Sequence, residues 1–99
     1  MPGMTIEDFK ASLAGSAAPA GQDRALTALW HAARGEWDTA HALAQAEKNR
    51  AGWRVHAYLH RVEGDLANAD YWYRRAGTER PEATLPDEWD AIATALLAR

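Results

Sequence analysis

The chain has no cysteine. That excludes a disulfide framework and any thiolate nucleophile, so a metal site would have to draw on His, Asp and Glu. β-Branched residues are few and strict apolar–polar alternation is absent, so no strand competes with a helical reading. No apolar run approaches the ~20 residues that a membrane span requires. The opening residues carry Glu7 and Asp8 and no apolar core run, which argues against a secretory signal. The expectation is a soluble, cytoplasmic protein with no membrane partner. Proline is missing from Gln22 to Arg80, leaving a long stretch in which helices are interrupted only by glycine and short polar turns.

Ninety-nine residues suit a single domain, 1–99. A chain of this length buries roughly 65% of its unfolded surface, enough for a modest core. The net charge of −3 is unevenly spread. Residues 50–80 hold six arginines against four acids, net +2, while both flanks are acidic. Arginine stacks on rings and grips carboxylate or phosphate at two points. A local excess of +2 is too small for a nucleic-acid footprint, so nucleic acid is not an expected partner.

Thr5 caps a first helix, 5–14, on which Ile6, Phe9 and Leu13 form an apolar stripe. Residues 15–21, with Gly at both ends and Pro19 inside, read as a linker. From Gln22 the helical period returns with Leu26, Leu29 and Trp30, and Gly35 is placed to stop it. A second helix of this region runs from Trp37 to Lys48, and Asn49 to Gly52 is expected to break it. A third, Trp53 to Glu63, ends at Gly64. A fourth, Leu66 to Ala76, ends at Gly77. After a polar loop, Pro86 suits the start of a last helix, 86–98, with Asp87 and Glu88 in its first turn. Val55, Tyr58, Leu59 and Val62 form the apolar face of the third helix of this region. Leu66, Ala69, Tyr73 and Ala76 form that of the fourth.

An internal repeat stands out. Gly35-Glu36 recurs as Gly64-Asp65, and at the same offset of 29 residues Ala28 matches Ala57, His31 matches His60 and Ala40 matches Ala69. Each unit is a helix, a Gly-acid turn and a helix, and neither unit can bury its apolar faces alone.

Ala57, Gly64-Asp65-Leu66, Ala69, Tyr73 and Ala76, with Trp53 ahead of them, resemble the tetratricopeptide repeat. The first unit matches at Ala28, Gly35, Trp37 and Ala40. The period of 29 is shorter than the ~34 of that repeat. His56 and His60 stand where it usually carries Leu and Tyr. The resemblance spans residues 22–77 and implies an all-α fold: two stacked helical hairpins flanked by one helix on each side, six helices in all. It also implies a small interaction module that binds a protein or peptide partner, or a second copy of itself. The wording of residues 53–77 is also similar to that of small bacterial proteins without an assigned activity, which implies a shared design only.

Two clusters invite a chemical reading. At about 100° per residue His56, His60 and Glu63 share one arc of about 60° beside the apolar face. This His-x3-His-x2-Glu pattern suits a metal site or an acid–base site, including that of an enzyme, and His31 and His41 of the first unit can converge on it. The plainer alternative is a pair of neutral histidines hydrogen-bonded between packed helices. His56 is followed by Ala57, so the metalloprotease helix is excluded. The second cluster is Arg54, Tyr58, Arg61, Tyr71 and Arg75, the residues expected to meet a partner or an anion; its alternative is a solvated face paired with nearby acids. No phosphate-binding Gly-rich loop and no Gly-x-Ser-x-Gly is present. No catalytic residue is therefore assigned and no cofactor is expected. Of the five tryptophans, Trp30, Trp53 and Trp89 are expected in the core, and Trp37 and Trp72 at its edge.

Overall fold

Five of the six helices start on a side chain that accepts a hydrogen bond from the first turn, the local signal that fixes where each begins. In the computed structural model, which describes residues 4–99, Thr5 caps α1 (Ile6–Ala11) and Asp23 caps α2 (Arg24–Ala33). Asn49 caps α4 (Arg50–Val62), Asp65 caps α5 (Leu66–Arg75) and Thr84 caps α6 (Leu85–Ala98). Only α3 (Trp37–Ala46) starts without such a bond. A 3₁₀ turn, Ser12–Ala14, extends α1, and no strand occurs among the described residues. The all-α, six-helix architecture read from the sequence is what is found.

The repeat is realised as two helical hairpins, α2–α3 and α4–α5, with α4 packed against both helices of the first. Their turns are copies of one another. Gly35 adopts φ 76° and Gly64 φ 87°, the left-handed conformation that only glycine reaches without strain. The next amide then reaches back to the helix: Glu36 N–H donates to the His31 carbonyl at 3.0 Å, and Asp65 N–H to that of His60 at 2.9 Å. Ala28, Ala40, Ala57 and Ala69 are fully buried and let the paired helices approach closely.

The main core lies between α1, the first hairpin, α4 and α6. Phe9, Leu26, Leu29, Trp30, Val55, Leu59, Trp89 and Ile92 fill it. Each such side chain contributes roughly 1.5–3 kcal/mol on leaving water. Trp89 stacks on Phe9 with ring centroids 5.7 Å apart, and its indole N–H donates to the Leu29 carbonyl at 2.8 Å. α6 thus returns across α1, α2 and α4, while α5 rests on α4 and faces away from the main core.

Several boundaries and burials differ from the sequence reading. The first helix is α-helical only to Ala11. The Ser12 hydroxyl donates to the Phe9 carbonyl at 2.6 Å and accepts the Trp30 indole N–H at 3.1 Å, and the chain tightens there. α3 ends at Ala46 rather than Lys48. The break expected over Asn49 to Gly52 is shorter, because Asn49 is a cap and Gly52 lies inside α4. Gly52 is there for space: a Cβ on it would sit 1.8 Å from the Glu47 carbonyl oxygen. α6 begins one residue ahead of Pro86, since Thr84 is the cap. Val62 and Leu66, expected on buried faces, are 42% and 44% exposed, because they flank the Gly64 turn at an end of the hairpin that no other described residue covers. Trp53, expected in the core, is half-buried, with the Arg75 guanidinium 4.7 Å above its ring. Among the described residues no helix is long and apolar enough to cross a membrane.

Candidate functional site

Where the two hairpins meet, three histidines converge. His41 stands on α3, one turn after Trp37, and His56 and His60 stand one turn apart on α4. One nitrogen from each of the three lies within 4.8 Å of the others. His41 Nε2 and His56 Nε2 are 3.1 Å apart. Ring centroids are separated by 4.7 Å for His41–His56, 5.2 Å for His41–His60 and 4.8 Å for His56–His60.

Two indoles close the cluster. Trp37 stacks on His41 at 4.7 Å and meets His60 edge-on at 5.9 Å. Its N–H donates to the Leu59 carbonyl at 2.8 Å, which pins α3 to α4. From α5, Trp72 lies flat on His56 at 4.0 Å. His56 and His60 are 4% and 6% exposed, and His41 is half-buried. On the rim, Glu63 Oε1 lies 2.6 Å from His60 Nδ1. A proton on Nδ1 satisfies that contact, and in the neutral ring of that tautomer Nε2 carries the lone pair. Glu63, offered by the sequence as a candidate ligand, thus lies in hydrogen-bond contact with a candidate ligand, His60.

The electrostatics keep two rings neutral. Burial lowers the His56 pKa from its usual value to about 4, and the neighbouring His41 and His60 push it the same way. Burial, then His60, also lowers His41, opposed by Glu63 and Asp38. Near pH 7 the close His41–His56 contact is therefore a hydrogen bond between neutral imidazoles, one donating and one accepting. Neutral imidazole is also the form that binds metal. A cluster of this kind can hold a transition-metal ion by three nitrogens and leave a fourth position open. The His60–Glu63 pair has the form of an acid–base dyad, its carboxylate exposed on the rim and its imidazole 6% exposed. Glu63 and Asp65 form a second trio with His60 on the exposed rim of the turn.

The fourth histidine is elsewhere. His31 Nδ1 lies 2.8 Å from Glu36 Oε1 at the turn of the first hairpin, and the contact with His31 lowers the Glu36 pKa. The five residues expected to meet a partner are dispersed. Tyr71 is exposed and stands edge-on to Trp72 at 5.1 Å, and Arg75 lies over Trp53 and, at 5.5 Å, over Trp72. Arg54 is half-buried beside a separate hollow lined by Arg50 and Arg99. Tyr58 is 7% exposed, and burial raises its pKa to about 12. Arg61 points inward. Its guanidinium donates to the buried Glu88 at 2.7 Å and to the Ala83 carbonyl. The other Glu88 oxygen accepts the Tyr73 hydroxyl at 2.5 Å. Burial and this bond push the Tyr73 pKa upward.

Sequence reasoning missed the Arg61–Glu88–Tyr73 link, although a signal was present: Glu88, Ile92 and Leu96 follow one stripe of α6 at spacing four, and all three are buried. No family model matches the chain, and no curated protein or solved structure matches it.

Proposed function

We propose that this protein binds one transition-metal ion through His41, His56 and His60, with Glu63 holding His60 in the ligating tautomer. The observation that carries the reading is the convergence of three imidazole nitrogens within 4.8 Å from two separate hairpins. A carboxylate behind one ligand is the usual outer partner of a metal-bound histidine. An all-nitrogen set with no thiolate suits Zn²⁺, Ni²⁺, Co²⁺ or Cu²⁺ and argues against Mg²⁺ and Ca²⁺. An ion here would tie α3 to α4 and so lock the hairpins together.

The test is calorimetric titration of tag-free, chelator-stripped protein with Zn²⁺. One equivalent is expected to bind. His56→Ala or His60→Ala should weaken it at least ~100-fold and Glu63→Gln by about 10- to 100-fold, with His31→Ala unchanged. Absence of binding at ~100 μM Zn²⁺, or an equal loss in His31→Ala, overturns the proposal.

A second reading concerns a protein or peptide partner, including a second copy of the chain. It is supported by the outer side of the second hairpin, where Val62, Leu66 and Tyr71 are the exposed large apolar residues. Light scattering after gel filtration is expected to give a mass above the monomer's at about 1 mM chain that falls toward it when Tyr71 and Leu66 are both changed to Ser. A monomer at every concentration, with or without the changes, counts against self-association.

A further inference from the structure

Beside the histidine cluster lies a hollow of about 280 Å³ lined by Gln45, Lys48, Trp53, His56, Trp72 and Arg75. Its chemistry is one-sided. No carboxylate lines it, and it carries two cations. Neither Lys48 nor Arg75 forms an ion pair or a hydrogen bond with any other described residue. Arg75 is held instead by the faces of Trp53 and Trp72, at 4.7 and 5.5 Å, which leaves its N–H edge free to donate.

The tryptophans tell the same story. Trp30, Trp37 and Trp89 each donate their indole N–H to the protein: to Ser12 Oγ, the Leu59 carbonyl and the Leu29 carbonyl. Trp53 and Trp72 have no such acceptor among the described residues, and they are the two that wall this hollow. Among the described residues no buried side-chain nitrogen or oxygen lacks a partner, so both of these N–H groups reach solvent. The hollow therefore combines unspent donors, unpaired cations and flat apolar walls. Its volume lies just below the ~300 Å³ at which small-molecule sites usually begin, which limits it to a small ligand.

We infer that this hollow binds a small aromatic or heteroaromatic carboxylate, its ring against the indole surface that Arg75 and His56 leave open on Trp53 and Trp72 and its carboxylate on Arg75 and Lys48. Arg75 grips the anion in two-point geometry, and Lys48 adds a compact charge. The inference does not rest on the metal: His56 contributes only a wall here, and its ring is already stacked on Trp72.

The experiment is an ¹⁵N-resolved NMR titration of the metal-free protein with sodium benzoate at constant ionic strength, following the five indole N–H signals. Benzoate is expected to shift Trp53 and Trp72 saturably and to leave Trp30, Trp37 and Trp89 in place. Benzamide lacks the charge and acetate lacks the ring, and each should bind at least ~10-fold more weakly. Arg75→Gln should weaken benzoate about 10-fold and Lys48→Gln about 3-fold, with the three unshifted indole signals reporting that each variant is folded. The inference is overturned by no saturable shift at ~20 mM benzoate, by benzamide binding as well as benzoate, or by an unchanged affinity in Arg75→Gln. Because no metal is present, none of these outcomes depends on whether the histidines hold one.

Discussion

The two hairpins follow one backbone plan and differ in what fills it. At the 29-residue offset, Leu26 and Val55, Leu29 and Tyr58, and Trp30 and Leu59 are all buried apolar pairs. The exchanges that matter are polar. Thr27 of the first hairpin becomes His56 of the second, and Ala44 becomes Tyr73. His31 keeps its identity as His60 but pairs with Glu36 at the surface, while His60 is buried beside Glu63. The first hairpin sits in the main apolar core with Phe9 and Trp89. Between α4 and α5 the buried apolar cluster shrinks to Ala57, Ala69 and Tyr73. The second hairpin is held by rings and hydrogen bonds in place of aliphatic bulk. A repeat can thus keep its turns and its small residues at helix contacts while its two copies bury different polar groups.

The sharpest way to break this comparison is Glu88→Ala. Glu88 accepts from both Arg61 and Tyr73, so it joins α6 to the second hairpin through a buried charge, whereas α6 meets the first through the neutral bond from Trp89 to the Leu29 carbonyl. Removing it leaves a guanidinium with low exposure unpaired and a buried phenol without its acceptor. The expected loss is about 3–5 kcal/mol in urea unfolding. Adding Arg61→Met and Tyr73→Phe to Glu88→Leu should recover most of it, because the cost lies in stranded polar groups and not in lost volume. A loss below ~1 kcal/mol for Glu88→Ala would mean that α6 is held by Trp89 and Ile92 alone.

Acid provides the next largest effect. Folding lowers the pKa of His56 to about 4, from 6.5, and also lowers that of His41. Below pH 6.5 the unfolded chain binds protons that the folded chain refuses, so stability falls as pH falls toward 4. It is fully present above pH 6.5. His56 alone accounts for about 2 kcal/mol between pH 6.5 and pH 5, above the range where most carboxylates titrate. Urea unfolding at stepped pH should therefore show a slope in this window that His56→Gln reduces and His31→Gln leaves unchanged. An equal effect of the two variants would erase the difference between the hairpins.

Much of the fold was legible because it is written in local signals. Gly35, Gly64 and Gly77 mark helix ends, Thr5 marks a start, and the matching alanines reveal the repeat. The site was legible in part. His56 and His60 share an arc by helical geometry, but His41 joins them only because α3 packs against α4, and no spacing along the chain encodes that packing. Arg61 shows the limit from the other side. From sequence it is one of a run of surface arginines; in three dimensions its partner, Glu88, lies 27 residues away on a helix that folds back across the hairpin. Gly52 was misread for a related reason, since its need for a missing Cβ comes from the carbonyl of Glu47 at the preceding helix end and not from a turn of its own.

The smallest expected effect tests whether the shared plan is as independent of the interior as the comparison claims. Gly35 and Gly64 have φ of 76° and 87°, and a Cβ built on either would meet nothing within 4 Å. The cost of Ala at each position is then conformational alone, about 1–2 kcal/mol. It should be the same at both within ~0.5 kcal/mol, although one turn ends a helix in the apolar core and the other ends the helix that carries His56 and His60. Equal losses in paired urea titrations would place the turn energetics in the backbone, leaving the interior of the second hairpin free to change its chemistry. A markedly larger loss at Gly64 would mean that its turn also sets the His60–Glu63 contact. Catalytic or ligand-binding use of the second hairpin would then be coupled to its turn, and the two copies would differ in backbone as well as in side chains.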